Sequence, residues 1–370
     1  MQGGVGAYSR ILAQRLAALG HEIHILSGAA AKETDPALTL TTVEGWGING
    51  LRAARRWAHH GAFNVINLQF QTAAYRMSPW VHFLPEALRP TPLITTFHDL
   101  RYPYLFPKAG PVRDRIVMHL ARASSGVIVT NPEDYARLRE LPRVATIPIG
   151  SNILAPLPDE FDLQVWRARA GEAPGRREFL IAHFGLLNHS KGLDVLVESL
   201  AQLRAAGIPA RLLIIGGTTG ENDPTNIAYS DSIEVQIRQL GLTDAVTYTG
   251  YLDDQAVGAY LTACDVIALP FRDGASYRRG SLMAALEYGA ALVTTTPRAT
   301  TPQFVDGRNM LLVPPDDSAA LTRALRRLYE APGLHDQLRA EAAVLAKQFD
   351  WAQIAAQTAE FFADVAGAKA

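Results

Sequence analysis

The sequence predicts an α/β protein made of two doubly wound parallel-sheet domains, and three observations predict it. Apolar strand-like runs alternate with amphipathic helical stretches along the chain, the pattern of parallel sheets covered on both faces. A length of 370 residues is too great for one small domain and suits two. A Pro- and Gly-rich stretch without helical periodicity, Pro148–Pro158 (PIGSNILAPLP), separates one series of strands from another. Domains are therefore expected over 1–150 and 159–350, with a linker at about 148–158 and a cleft between the carboxyl ends of the two sheets.

The chain opens on a Gly-rich turn, MQGGVG, that leads into a helix over Ala7–Leu19. Tyr8, Ile11, Leu12, Leu16 and Leu19 share one face of it and Gly20 stops it. In a doubly wound domain such a turn follows the first, central strand, and that strand is absent from the sequence. Its loss would leave neighbouring strands with unpaired backbone groups. The expectation is that the reading frame extends upstream of Met1; a stop codon directly before it would instead mean a shortened sheet. Further strands are expected at His21–Ser27, Val65–Phe70, Pro92–Phe97, Gly126–Thr130 and Val144–Pro148. In the second domain they fall at Phe179–Phe184, Arg211–Gly216, Val246–Tyr248, Val266–Pro270, Ala291–Thr295 and Met310–Val313, with helices such as Leu193–Ala206 and Ala319–Tyr329 between them.

Composition narrows the function. A formal net charge of −1 gives no basic field to hold nucleic acid. The single cysteine, Cys264, excludes a disulfide framework and a Cys-based zinc site, and fits a reducing cytoplasm. No apolar run approaches the roughly 20 residues of a spanning helix, and no secretory signal pattern opens the chain. Peripheral contact with the inner membrane face is compatible with LRAARRWAHH (Leu51–His60), which sets Arg52, Arg55, Arg56 and His59 beside Leu51 and Trp57 on one helix. A solvated helix face accounts for the same pattern.

Several motifs suit phosphate chemistry. Gly3-Gly4-Val5-Gly6 at a helix start offers backbone N–H groups and a helix dipole to an anion, although such turns also serve close packing. His98 ends an apolar strand (LITTFHDL), where ligands collect in open α/β sheets; Asp99 and Asp273 read equally as turn or cap residues. Lys191 lies between a strand and a helix in HFGLLNHSKGLDVL, placed to neutralise a diphosphate or simply solvated. The loop of LPFRDGASYRRGSLMAALEYGAALVTT carries Arg272, Arg278 and Arg279 with Ser276, Gly280 and Ser281 around a helix start, a phosphate cradle of guanidinium forks and backbone amides.

Taken together and in this order, these segments resemble the group 1 (family 4) retaining glycosyltransferases of GT-B fold. The likeness rests on GGVGAYSRILAQRLAALGHEIHIL, TTFHDL, FGLLNHSKGLDVLVESL, YTGYLDDQAVGAYLTACDVIALP and FVDGRNMLLVPPDDSAALTRAL, and runs from Gly3 to about Phe362. It implies that Gly3 and Gly4 approach the donor diphosphate, that His98 contacts the donor sugar at the reaction centre, and that Lys191 binds the phosphates. It also implies that the turn Gly250-Tyr251-Leu252 faces the nucleobase and that the last helix, 351–365, packs back on the first domain. The sequence departs from the family at three places. The phosphate-binding arginine after the first strand of the second domain is Leu186, and the two glutamates of the Glu-x7-Glu signature fall on Ser276 and Ala284. The loop is longer than the family pattern by about two residues, which makes Asp273 the candidate for a displaced first acid. Glu287, one helical turn beyond Ala284 on nearly the same face, is the candidate to reach the ribose in place of the second.

The expected function is retaining transfer of a sugar from a nucleotide diphosphate donor to a carbohydrate or lipid-linked acceptor, in cell-surface polysaccharide or glycolipid synthesis. No cofactor or metal is expected, since cationic side chains and helix N-termini serve the leaving diphosphate. The alternative is a non-catalytic GT-B protein that binds a nucleotide sugar or a partner. A phosphorylase would need a much longer chain, and epimerases lack the histidine strand.

Overall fold

The computed structural model describes residues 4–100, 110–217 and 224–367. The chain divides into two compact units, one of Met1–Asn152 with the returning segment Phe349–Ala370, the other of Ile153–Gln348.

The first unit holds β1 (Ile23–Gly28), β2 (Leu38–Val43), β3 (Ile66–Phe70), β4 (Leu93–Phe97), β5 (Gly126–Val129) and β6 (Val144–Thr146). All pair in parallel, but in two sheets instead of the one expected: β1 with β2, and β3-β4-β5-β6 in that order. No strand pairing joins the two sheets among the described residues. Burial follows from this. Every residue of β1 is half-buried, whereas β4 and β5 are buried throughout, as strands flanked on both sides should be. The additional strand β2 (LTLTTV) pairs residue for residue with β1. Side chains of Ile66, Leu68 and Phe70 on β3 pack with Leu93 and Phe97 on β4 to form the core.

The helix Gly4–Ala18 turns Tyr8, Leu12, Ala13 and Leu16 inward, and Gly20, at φ +92°, ends it. The last helix, Trp351–Gly367, lies against it: the Trp351 ring sits 5.1 Å from that of Tyr8 and its indole N–H donates to the Ser151 carbonyl at 2.7 Å. In the helix Ile48–Gly61, Ala54 and Ala58 are buried while Arg52, Arg55, Arg56 and His59 are exposed. Trp57 is not the outward anchor that a membrane-facing helix would need. Its ring packs 4.4 Å from Phe63, against the core, because it flanks the Ala54–Ala58 stripe.

The second unit holds β7 (Phe179–Phe184), β8 (Ala210–Ile215), β9 (Val246–Tyr248), β10 (Val266–Leu269), β11 (Leu292–Thr295) and β12 (Leu311–Val313). They form one parallel sheet in the order β12-β11-β10-β7-β8-β9. Sequential connections run outward to both sides of β7 and β10, which makes that pair the topological switch point and brings the loops after both strands together. Behind the sheet, buried Arg167 pairs both its Nε and Nη2 with Glu172 at 2.7 Å and reaches Asp265 at 3.1 Å, tying the unit's first helix, Leu163–Arg169, to the start of β10. No helix among the described residues is long and apolar enough to cross a membrane.

Candidate functional site

At the switch point the two loops are pressed together by glycine. Gly192, at φ +67°, closes the turn His189–Lys191, and a Cβ there would stand 2.1 Å from the Pro270 carbonyl oxygen at the end of β10. Gly185, at φ +127°, begins the same loop, and a Cβ on it would approach the Lys191 Nζ at 3.0 Å. A side chain at 192 would collide with the end of β10, so this glycine lets the loops close together, and Lys191 reaches from the β7 loop to the β10 loop.

Its ammonium donates to the Ser281 hydroxyl at 3.0 Å, in the first turn of the helix Gly280–Glu287. Phe271, fully buried just after β10, is shared: Lys191 Nζ lies 5.2 Å from its ring centroid and the Arg279 guanidinium 4.6 Å from it. Arg279 also pairs with Asp273. Removal from water, reinforced by the Arg279 charge, lowers the Lys191 pKa to about 7, against the opposing pull of Asp273. Two cations and a helix N-terminus therefore converge on one spot, an arrangement that favours a dianion. Next to it, the buried His183 on β7 bonds through Nδ1 to the Ala268 carbonyl at 3.1 Å, and burial lowers its pKa to about 4.

The expected donor-binding residues divide accordingly. Lys191, Arg279, Gly280 and Ser281 are brought together with Asp273. Ser276 and Arg278 are half-buried in the same loop, and the Ser276 carbonyl accepts the Arg279 N–H at 3.1 Å. Leu186, 53% exposed, stands in the β7 loop itself. Arg272 faces away from the cluster. It bonds Asp194 at 2.6 Å, Asp316 at 2.5 Å and the His189 carbonyl at 3.2 Å, so it braces the lysine turn from behind and is no part of a phosphate cradle. Glu287 is exposed at the far end of its helix, about 9 Å along the axis from Ser281 at 1.5 Å per residue. Tyr251 is 92% exposed in the turn after β9, beside Gly216 and Gly250, whose backbones bridge.

In the first unit His98 follows β4. Its N–H donates to the Phe70 carbonyl at 3.1 Å, its Nε2 meets the Gln69 Oε1 at 2.8 Å, and its ring stands edge-on to Tyr8 at 4.7 Å. Burial lowers its pKa to about 4, so the imidazole is neutral at physiological pH. Gly4 opens the helix that carries Tyr8, with its carbonyl accepting from Asn152 at 3.3 Å; Gly3 lies outside the described residues. Gln69 and the bracing function of Arg272 carry no motif in the sequence. Period-two alternation in INLQF marks Gln69 only as facing away from the core.

Comparison with known proteins agrees in both units. A family model described as Glycosyl transferases group 1 matches residues 178–331, and one described as Glycosyltransferase Family 4 matches residues 2–153. The D-inositol 3-phosphate glycosyltransferase of Arthrobacter sp. strain FB24 is 24% identical, over 97% of this chain and 90% of that protein. The phosphatidyl-myo-inositol mannosyltransferase of Mycobacterium leprae is 23% identical, over 98% and 94%. Among solved structures, sucrose-phosphate synthase of Thermosynechococcus elongatus superposes with a TM-score of 0.79 at 20% identity, covering 99% of this chain and 94% of that one. Anabaena HepE in complex with UDP-glucose gives 0.74 at 19%, covering 97% and 96%. These last two likenesses speak to the fold alone.

Proposed function

The chain belongs to the group 1 glycosyltransferases of GT-B type, and from that premise we propose that it moves a sugar, with retention of configuration, from a nucleoside diphosphate to an acceptor hydroxyl. One observation carries the reading: Lys191 and Arg279 flank the same buried ring at the opening of the helix Gly280–Glu287. Charge builds on the diphosphate as the glycosidic bond breaks, and these groups are already oriented to receive it. Arg279 takes the part of the family arginine whose place Leu186 occupies, since a guanidinium can hold two phosphate oxygens at once. His98, with its neutral ring, contacts the sugar.

The acceptor in this reading is a carbohydrate or a lipid-linked molecule of cell-surface polysaccharide or glycolipid synthesis. The lipid substrate named for the M. leprae relative supports the latter, as does the exposed row Arg52, Arg55, Arg56 on the helix Ile48–Gly61, which suits an anionic surface. Incubation with a panel of nucleotide sugars, followed by mass spectrometry, tests the central step. Consumption of one donor with time-dependent release of its nucleoside diphosphate is expected. A protein that binds nucleoside diphosphate yet consumes no donor under any acceptor condition would contradict it.

A further inference from the structure

We propose that Asn67 and Gln69 are positioning residues for His98: a chain from the Ile94 carbonyl through both side-chain amides holds the imidazole as its Nε2–H tautomer and turns Nδ1 into a hydrogen-bond acceptor for a hydroxyl of the bound sugar. The inference rests on the reading of His98 as the sugar contact.

Strand geometry puts the members side by side. β3 and β4 pair with Asn67 opposite Ile94 and Gln69 opposite Thr96, and alternation sends Asn67 and Gln69 to the face opposite Ile66, Leu68 and Phe70. His98 follows Thr96 by two residues and falls on that same face. The polar side of INLQF is therefore half-buried and bonded, not a solvated edge.

The direction of every bond follows from the one group that cannot change role. A backbone carbonyl only accepts, so the Asn67 atom 3.2 Å from the Ile94 oxygen is the amide nitrogen, which also donates to the Thr96 hydroxyl at 2.9 Å. Asn67 Oδ1 then faces Gln69 and takes its Nε2–H. That leaves Gln69 Oε1 toward His98 at 2.8 Å, where only a protonated Nε2 makes a bond. Reversing either amide would set oxygen against oxygen at the next link. Because the ring is neutral, one proton is all it has, and Nδ1 is left with its lone pair. Tyr8, edge-on to the ring at 79°, restricts rotation about the remaining bond. A sugar hydroxyl can donate to such a nitrogen while its own oxygen still accepts elsewhere.

The tautomer can be read directly in the full chain labelled with ¹⁵N-histidine, from long-range ¹H–¹⁵N spectra at neutral pH, with the His98 signals identified by their loss in His98→Ala. A protonated Nε2 and a bare Nδ1 are expected. Gln69→Met should give a mixture of tautomers and lower kcat about tenfold with the donor KM changed less than about twofold, the scale of one hydrogen bond that orients but does not bind. Protonation at Nδ1 in the parent, or a Gln69→Met variant with tautomer and kcat both unchanged, would overturn the proposal. If instead His98→Ala transfers sugar at the parent rate, the sugar-contact reading fails on its own, and the spectrum still decides the chain.

Discussion

At the carboxyl edge of β7 and β10 two cations meet beside Asp273 where a glycine lets two loops close together, whereas at the carboxyl edge of β4 the polar groups are neutral and joined by amides. Lys191 and Arg279 share a ring and sit next to a helix N-terminus. His98 is held by Gln69 and Tyr8, with no charged group among those contacts. Burial lowers the pKa of both bases, but to different ends: Lys191 to about 7, within the physiological range, and His98 to about 4, well outside it. Under the proposed function the difference suits the two halves of a glycosyl donor. A leaving diphosphate needs charge; a sugar needs a directed but uncharged contact.

The contrast can be broken at its most demanding point. His98→Ala should lower kcat by about a hundredfold, the scale set by removing one oriented group from a reaction centre, with the thermal midpoint nearly unchanged. A midpoint that falls in proportion to activity would mark the histidine as a core residue. Next in size is the response to pH. Raising pH through about 7 strips the proton from Lys191, so affinity for nucleoside diphosphate should fall by up to about tenfold per unit above that point. The effect is fully relieved at lower pH, where the ammonium is intact. His98, neutral over the same range, should add no inflection. Calorimetric titrations across the range check both, and a flat profile would remove the Lys191 assignment.

A smaller change sharpens the comparison. Leu186→Arg restores the family cation and should tighten diphosphate binding by about three- to tenfold, with the larger gain in an Arg279→Ala background. Equal gains in both backgrounds would show that Arg279 does not stand in for the missing residue. Smallest is a difference between the sheets. Amide protons of β1 should exchange faster than those of β7 and β10, since β1 is half-buried and, among the described residues, pairs only with β2, whereas β7 lies between two strands. Protection of β1 equal to that of β7 would contradict the split.

Features set by local sequence are legible in the chain, and features set by distant contacts are not. The strands of the second unit are short runs of apolar residues bounded by Gly and Pro, and period and punctuation alone locate them. β2 escaped because LTLTTV places three threonines among its six residues and lies among polar residues; pairing with β1, a tertiary fact, makes it a strand. Trp57 lies within reach of either face of its helix, and only the packing of Ala54 and Ala58 decides that it turns inward. The same holds at the sites. Lys191 and the arginine loop stand out as motifs, but that Arg279 joins Lys191 while Arg272 braces the turn from behind depends on contacts between residues some 80 positions apart. Gln69 and Asn67 were illegible for the same reason, being defined by the strand opposite them.

The proposed pairing of Lys191 with Arg279 as the diphosphate site is tested most directly by calorimetry of nucleoside diphosphate binding to Lys191→Ala, Arg278→Ala, Arg279→Ala and Arg279→Lys. A charge-assisted contact of this kind is worth about 1.5–3 kcal/mol, so Lys191→Ala and Arg279→Ala should each weaken binding about ten- to a hundredfold. Arg279→Lys should recover only part of the loss, because the charge returns without the fork. Arg278→Ala should change little. Binding unchanged from the parent in both arginine-to-alanine variants, with loss only in Lys191→Ala, would contradict the claim and leave the loop as surface.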